Sequence, residues 1–192
     1  GLGYPGGMGA DRMMQLCHNY GFPISRLQAQ TYKNIWLKEY PEMNNYLAYP
    51  MEEERSYTTP LGMVRASCNY TEWCNGKALQ SPGAEGMKLA MFDIAQCCLL
   101  RGGALEGCFP IAQIHDELLL EIPEDDIMET RVSVVASIMK RKLQEVLPSM
   151  NFRAIKVKSV LMREWSKDAK PIKDEKGSLL VWEPPVPVTV TP

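Results

Sequence analysis

The triplet His115-Asp116-Glu117 concentrates groups able to do chemistry, because it stands between two apolar runs, 109–114 and 118–122. A bare hairpin turn normally uses Gly, Asn or Asp-Gly, and this one has no glycine. Two readings follow. The carboxylates of Asp116 and Glu117 are either solvated turn charges or hard oxygen ligands on a rigid hairpin, suited to Mg²⁺ and, through it, to substrate phosphates. A second group is the segment 75–84, Asn-Gly-Lys-Ala-Leu-Gln-Ser-Pro-Gly-Ala. Its Asn75 and Gln80 either cap a helix or donate to acceptors in a nucleic-acid minor groove, where an amide engages any base pair without reading sequence.

The elements that must position these groups follow from periodicity and punctuation. Residues 1–9, GLGYPGGMG, break regular structure and let the backbone approach a ligand or another backbone closely. A helix is expected from Ala10 to Asn19, stopping at Gly21, and Ser25 with Gln28 forms a capping-box pattern for a second helix running to Tyr40. Residues 57–70 read as an extended pair around the Pro60-Leu61-Gly62 turn. Ser81 then supplies an N-cap and Pro82 a first helical position. Met87, Met91, Ile94 and Cys98 form one buried stripe of that helix, which ends near Arg101-Gly102-Gly103.

Residues 109–123 fit two short strands joined tightly at His115-Asp116, and the consecutive Leu118, Leu119 and Leu120 imply cover on both faces of the second. Glu124, Asp125 and Asp126 open a further helix, with Lys140, Arg141 and Lys142 towards its far end and a stop near Pro148. Another strand is expected over 152–163. The tail from Lys167, charged and then proline-rich, is expected to be disordered.

Composition narrows the class. The 192 residues are 45% hydrophobic and 23% charged, with a net charge of -2, so the chain can bury a real core, and its composition carries no basic excess that would suggest nucleic acid. No stretch approaches the roughly 18 apolar residues of a membrane span, and no basic-then-apolar leader opens the chain. None of the six cysteines forms a CxxC pair, which favours free thiols in a reducing cytosol over a zinc or redox site. The start at Gly1, inside a glycine-rich segment, suits a fragment, a processed product or a split-gene subunit.

Three segments in order, GLGYPGGMG, NGKALQSPGAEGMKLAM and QIHDELLLEIP, closely resemble the C-terminal part of family A DNA polymerases, the bacterial DNA polymerase I type, phage versions in particular. The resemblance covers residues 1–165. It implies that Asp116 is one of two aspartates holding a pair of Mg²⁺ ions, with Glu117 supporting the metal site and His115 contacting the primer terminus. It matches Gln80 to the glutamine that probes the minor groove of the primer-template, and Tyr4 to the tyrosine that closes the fingers helix beside the templating base and the incoming nucleotide. Arg65, in TPLGMVR, matches a phosphate contact, with a solvated surface arginine as the alternative. The family's Asn sits four residues before the Gln, where this chain has Gly76; Asn75 is five before.

The fold class so implied is α+β: the C-terminal part of a polymerase palm, an antiparallel sheet with the catalytic hairpin, plus packed fingers helices. Residues 1–55 would be the remaining fingers helices, 56–166 the palm portion and 167–192 the tail. The function implied is the C-terminal portion of a DNA-directed DNA polymerase, acting by template-directed nucleotidyl transfer with two metal ions. One aspartate and the upstream polymerase portion would come from outside this chain. Its partners would be primer-template DNA and deoxynucleoside triphosphates, with no membrane, in the bacterial cytosol or that of a phage-infected host. The alternative is a non-catalytic DNA-binding or assembly module of a replication complex.

Overall fold

A computed structural model describes residues 3–48 and 55–185. The fold is α+β, and the chain divides into two compact units, Gly1–Glu85 and Gly86–Pro192.

The first unit begins with α1 (Ala10–Asn19), α2 (Arg26–Glu39) and α3 (Glu42–Ala48). α2 starts where the capping box places it. The Ser25 hydroxyl accepts from the Gln28 amide at 3.2 Å, and the Gln28 side chain accepts from the Ser25 amide at 2.8 Å. A cap of this kind contributes about 1 kcal/mol. A hairpin follows, β1 (Arg55–Thr58) antiparallel to β2 (Val64–Cys68), in which Ser67 takes a positive φ of 53° where an extra residue bulges from β2. Tyr57 from β1 packs with Leu47, Cys68, Trp73 and Cys74 in one core cluster. That packing joins residues on both sides of residue 55.

The helix expected to begin at an N-capping Ser81 begins earlier. Asn69 and Glu72 form a capping box that opens α4 (Tyr70–Asn75), and the chain continues through a π turn, Gly76–Gln80, into α5 (Ser81–Leu99). Ser81 therefore has helical backbone angles, and its hydroxyl lies 3.1 Å from the Tyr57 hydroxyl. Gly76 is what lets Tyr57 sit there, since a Cβ at Gly76 would overlap the Tyr57 hydroxyl. Glu85, only 3% exposed, accepts from the Thr59 hydroxyl and from the Leu61 amide, and so fixes the turn between β1 and β2 to the start of α5.

The second unit is built on α5 and α6 (Met128–Val146), with a core of Ala90, Ile94, Leu105, Cys108, Val135 and Ile138. Between them stands a hairpin, β3 (Phe109–Ile114) antiparallel to β4 (Glu117–Glu121). The acidic run 124–126 precedes α6 without forming its first turn. Asp125 there accepts from the Ile127 amide and pairs through both oxygens with buried Arg131 at 2.6 Å. The guanidinium holds the Asp125 carboxyl below the usual carboxylate range. Arg131 also reaches the Glu106 carbonyl at 3.4 Å, tying the loop after α5 to α6.

Two expectations for the end of the chain are corrected. In place of a strand over 152–163, an Asn151-capped 3₁₀ turn spans Phe152–Ala154 and only Leu161–Met162 forms a strand, β5. The expected disordered tail contributes β6 (Ile172–Lys173) and β7 (Leu179–Trp182), in the order β5-β7-β6. β5 pairs parallel with β7, in a sheet separate from the β3–β4 hairpin. The apolar run 179–182 has a face to cover, which outweighs its charged and proline-rich surroundings. Residues 186–192 of the tail lie outside the described residues. The six cysteines are free thiols, and among the described residues no helix is long and apolar enough to cross a membrane.

Burial, and next the Cys74 thiol, push the Tyr70 hydroxyl up to about 12; the same hydroxyl donates to the Leu47 carbonyl at 2.8 Å. A raised folded-state value means that stability is complete below the unfolded tyrosine value of about 10 and is lost as pH rises towards 12. Urea denaturation between pH 8 and 11.5 is expected to show this alkaline loss, and Tyr70→Phe is expected to reduce its slope while costing about 1 kcal/mol at pH 8.

Candidate functional site

The β3–β4 hairpin is anchored by period-two alternation on β4. Leu118, Leu120 and Ile122 pack against the α5–α6 core. Opposite them the register advances two residues from Pro110 to Ala112 but one from Leu120 to Leu119, so an extra residue bulges from β3 and bends the hairpin. Pairing resumes through Gln113↔Leu118 to Ile114↔Glu117, leaving His115 and Asp116 as a two-residue loop.

That loop is strained. His115 has φ of 56°, while Asp116 is not among the positive-φ residues. Positive then negative is the sign pattern of a type II′ turn, whose first position favours glycine. Holding a non-glycine residue there costs about 1–2 kcal/mol, offset by the anchored strands on either side. The Gln113 side-chain amide donates to the His115 carbonyl at 3.0 Å and further fixes the tip.

His115, Asp116 and Glu117 are all exposed. Neither carboxylate has an ion-pair or side-chain hydrogen-bond partner among the described residues. The surrounding chain gives them none, because residues 106–129 hold eight Asp and Glu and no Lys or Arg. Unpaired hard oxygens on a fixed turn are suitable donors for Mg²⁺. They are an incomplete set, since no cluster of three or more metal-binding side chains occurs among the described residues. Any cation here needs further oxygens from water, phosphate or a carboxylate outside this chain.

The remaining sequence-derived candidates belong to the first unit. The Tyr4 hydroxyl donates to the Ala29 carbonyl at 3.2 Å and its ring lies 5.6 Å from that of Trp36, so the residue is held against α2. Burial, with Cys17 and Tyr32 nearby, raises its hydroxyl above the ordinary tyrosine value. Asn75 uses its amide within the unit, donating to the Thr71 carbonyl at 3.1 Å and to the Gly6 carbonyl at 3.5 Å. Its amide thus ties the glycine-rich segment to α4. Gln80, the last residue of the π turn, is exposed with its amide unengaged among the described residues, and Arg65 is exposed on β2 without an ion pair there.

Sequence reasoning missed the π turn and the buried Glu85 that set where Gln80 stands. Gly76, in place of an Asn, was the available signal: a missing side chain marks a close approach, here by Tyr57.

No protein family model matches the chain. It is 26% identical over 147 residues to DNA polymerase I of Streptococcus pneumoniae serotype 4 (strain TIGR4), and to the same extent to DNA polymerase I of Streptococcus pneumoniae strain R6. The match covers 69% of this chain but 16% of either relative, so the chain corresponds to a small part of the curated relatives' length.

The strained turn gives a direct test in thermal or urea denaturation. His115→Gly is expected to be neutral within about 1 kcal/mol, because strain relief opposes the extra freedom of the unfolded chain. His115→Val, β-branched at a positive φ, is expected to cost about 2 kcal/mol.

Proposed function

We propose that this chain supplies part of the active site of a DNA-directed DNA polymerase, as the C-terminal portion of the catalytic fold. The observation that carries the reading is the pair of unpaired, exposed carboxylates on a strained, core-anchored hairpin, in a chain similar to part of DNA polymerase I.

Asp116 would hold a divalent cation, and Glu117 would add a second carboxylate beside it. When bound, Mg²⁺ lowers the pKa of the primer hydroxyl and stabilises charge on the phosphoryl group in flight. The local excess of carboxylates favours this role, since phosphates are repelled from residues 106–129 unless cations intervene. His115, displayed by its positive φ, would contact the primer terminus. The second aspartate of a two-metal site, and the groups gripping the triphosphate, would come from a polymerase portion beyond this chain.

In the first unit, Gln80 offers a free amide for minor-groove acceptors, which any base pair presents. Tyr4, fixed by Ala29 and Trp36, would stack beside the templating base. Asn75 then acts as a positioning residue, its amide holding the segment that carries Tyr4. Arg65 would meet backbone phosphate. The free thiols and the polymerase reading together favour the bacterial cytosol.

Primer extension with Mg²⁺ and the four deoxynucleotides tests the proposal, using this chain alone, with its upstream polymerase portion, and with Asp116→Ala in the same mixture. Extension only in the complemented mixture, falling about a thousandfold or more with Asp116→Ala, is expected. A stable complex that binds primer-template but never extends it with intact Asp116 would leave a non-catalytic DNA-binding module.

A further inference from the structure

We propose that Arg153, Lys156 and Lys158 form a separate nucleic-acid contact, a basic ribbon that grips backbone phosphates without reading sequence. The choice of nucleic acid as the polyanion rests on the polymerase reading; the ribbon itself is argued from charge and geometry.

Charge in the second unit is segregated along the chain. Residues 106–129 carry eight carboxylates and no Lys or Arg, whereas residues 140–163 carry seven Lys and Arg against the single Glu145. Three of those seven cations are committed within the fold. Arg141 and Lys142 reach Asp93 and Glu145, and Arg163 bridges Glu124 and Glu183. Arg153, Lys156 and Lys158 have no ion-pair partner among the described residues, and all three are exposed.

Their backbone is fixed. Asn151 accepts from the Arg153 amide at 2.9 Å and caps the 3₁₀ turn, after which Ile155 is extended, with φ -75° and ψ 113°. In the residues that follow the turn, Ile155 is 7% exposed and Val157 is half-buried, while Lys156 and Lys158 are exposed. The burial alternation holds the ribbon down at Ile155 and Val157 and leaves Lys156 and Lys158 open to solvent. Phe152, 41% exposed, adds an aromatic face beside Arg153.

A fixed row of unpaired cations, with its aliphatic side chains turned inward, suits a polymer of regularly spaced negative charge better than a protein surface, which needs an apolar centre. The more distal lysines, Lys167, Lys170 and Lys173, are interrupted by Asp168 and followed by Asp174 and Glu175, and so form no comparable run.

The test is fluorescence anisotropy of the full chain with a labelled DNA duplex from 25 to 300 mM NaCl. Arg153→Gln/Lys156→Gln/Lys158→Gln is compared with the charge-matched Lys167→Gln/Lys170→Gln/Lys173→Gln. The first variant is expected to weaken binding about tenfold or more, equally for unrelated sequences, and to lower the log–log salt slope by about 2.7; the second should shift both far less. Absence of DNA binding by the wild type at low salt, an unchanged slope, or equal losses in the two variants would each overturn the ribbon. Tighter ribbon-dependent binding to poly-glutamate than to DNA would overturn it in favour of an acidic protein partner. Binding is read without catalysis, so a failure of primer extension leaves this result standing, and a failed ribbon leaves the polymerase reading standing.

Discussion

The seating of Leu118, Leu120 and Ile122 on the α5–α6 core is the interaction on which the candidate site depends. Two short strands alone are marginal in water and could not keep a non-glycine residue at a positive φ. Burial of three branched side chains, each contributing about 1.5–3 kcal/mol when complete, can hold the strained turn. The core in turn requires Arg131, whose pairing with Asp125 and contact with the Glu106 carbonyl fix the segments on either side of the hairpin. Removing Asp125 would leave the buried Arg131 guanidinium unpaired, a larger penalty than the pair's own net contribution.

The second constraint is electrostatic. A chain of net charge -2 looks featureless until its charges are placed, with carboxylates around the hairpin and unpaired cations on the stretch after α6. The same segregation underlies both proposals. Carboxylates without cationic neighbours suit a metal ion, and cations without carboxylate neighbours suit a phosphate backbone. In the first unit the corresponding device is steric: Gly76 admits Tyr57, and the π turn that follows sets the exposed position of Gln80.

Much of the local structure was legible because single residue types decide it. Ser25 and Gln28 could satisfy each other's backbone only at a helix start, and apolar runs on either side of His115-Asp116 could pair only by turning there. What stayed hidden depends on contacts distant in sequence. The tail strands exist because Leu179–Trp182 pairs with both Leu161–Met162 and Ile172–Lys173, and neither two-residue partner has a periodicity to detect. The Asn69–Glu72 capping box was as plain in sequence as the one at Ser25, but Ser81-Pro82 drew the helix start to the wrong place. The candidate residues themselves were visible from type and spacing, whereas the inward commitment of Asn75 required knowing that Gly6 lies beside it.

The central claim is that Asp116 is a ligand to a divalent cation at the site of nucleotidyl transfer. Electron paramagnetic resonance with Mn²⁺ in place of Mg²⁺ addresses it most directly, on the complex of this chain with its upstream polymerase portion, primer-template and a non-hydrolysable nucleotide. The account predicts bound Mn²⁺ whose stoichiometry or affinity drops in Asp116→Asn while primer-template binding persists. Identical Mn²⁺ binding by the two proteins would contradict it.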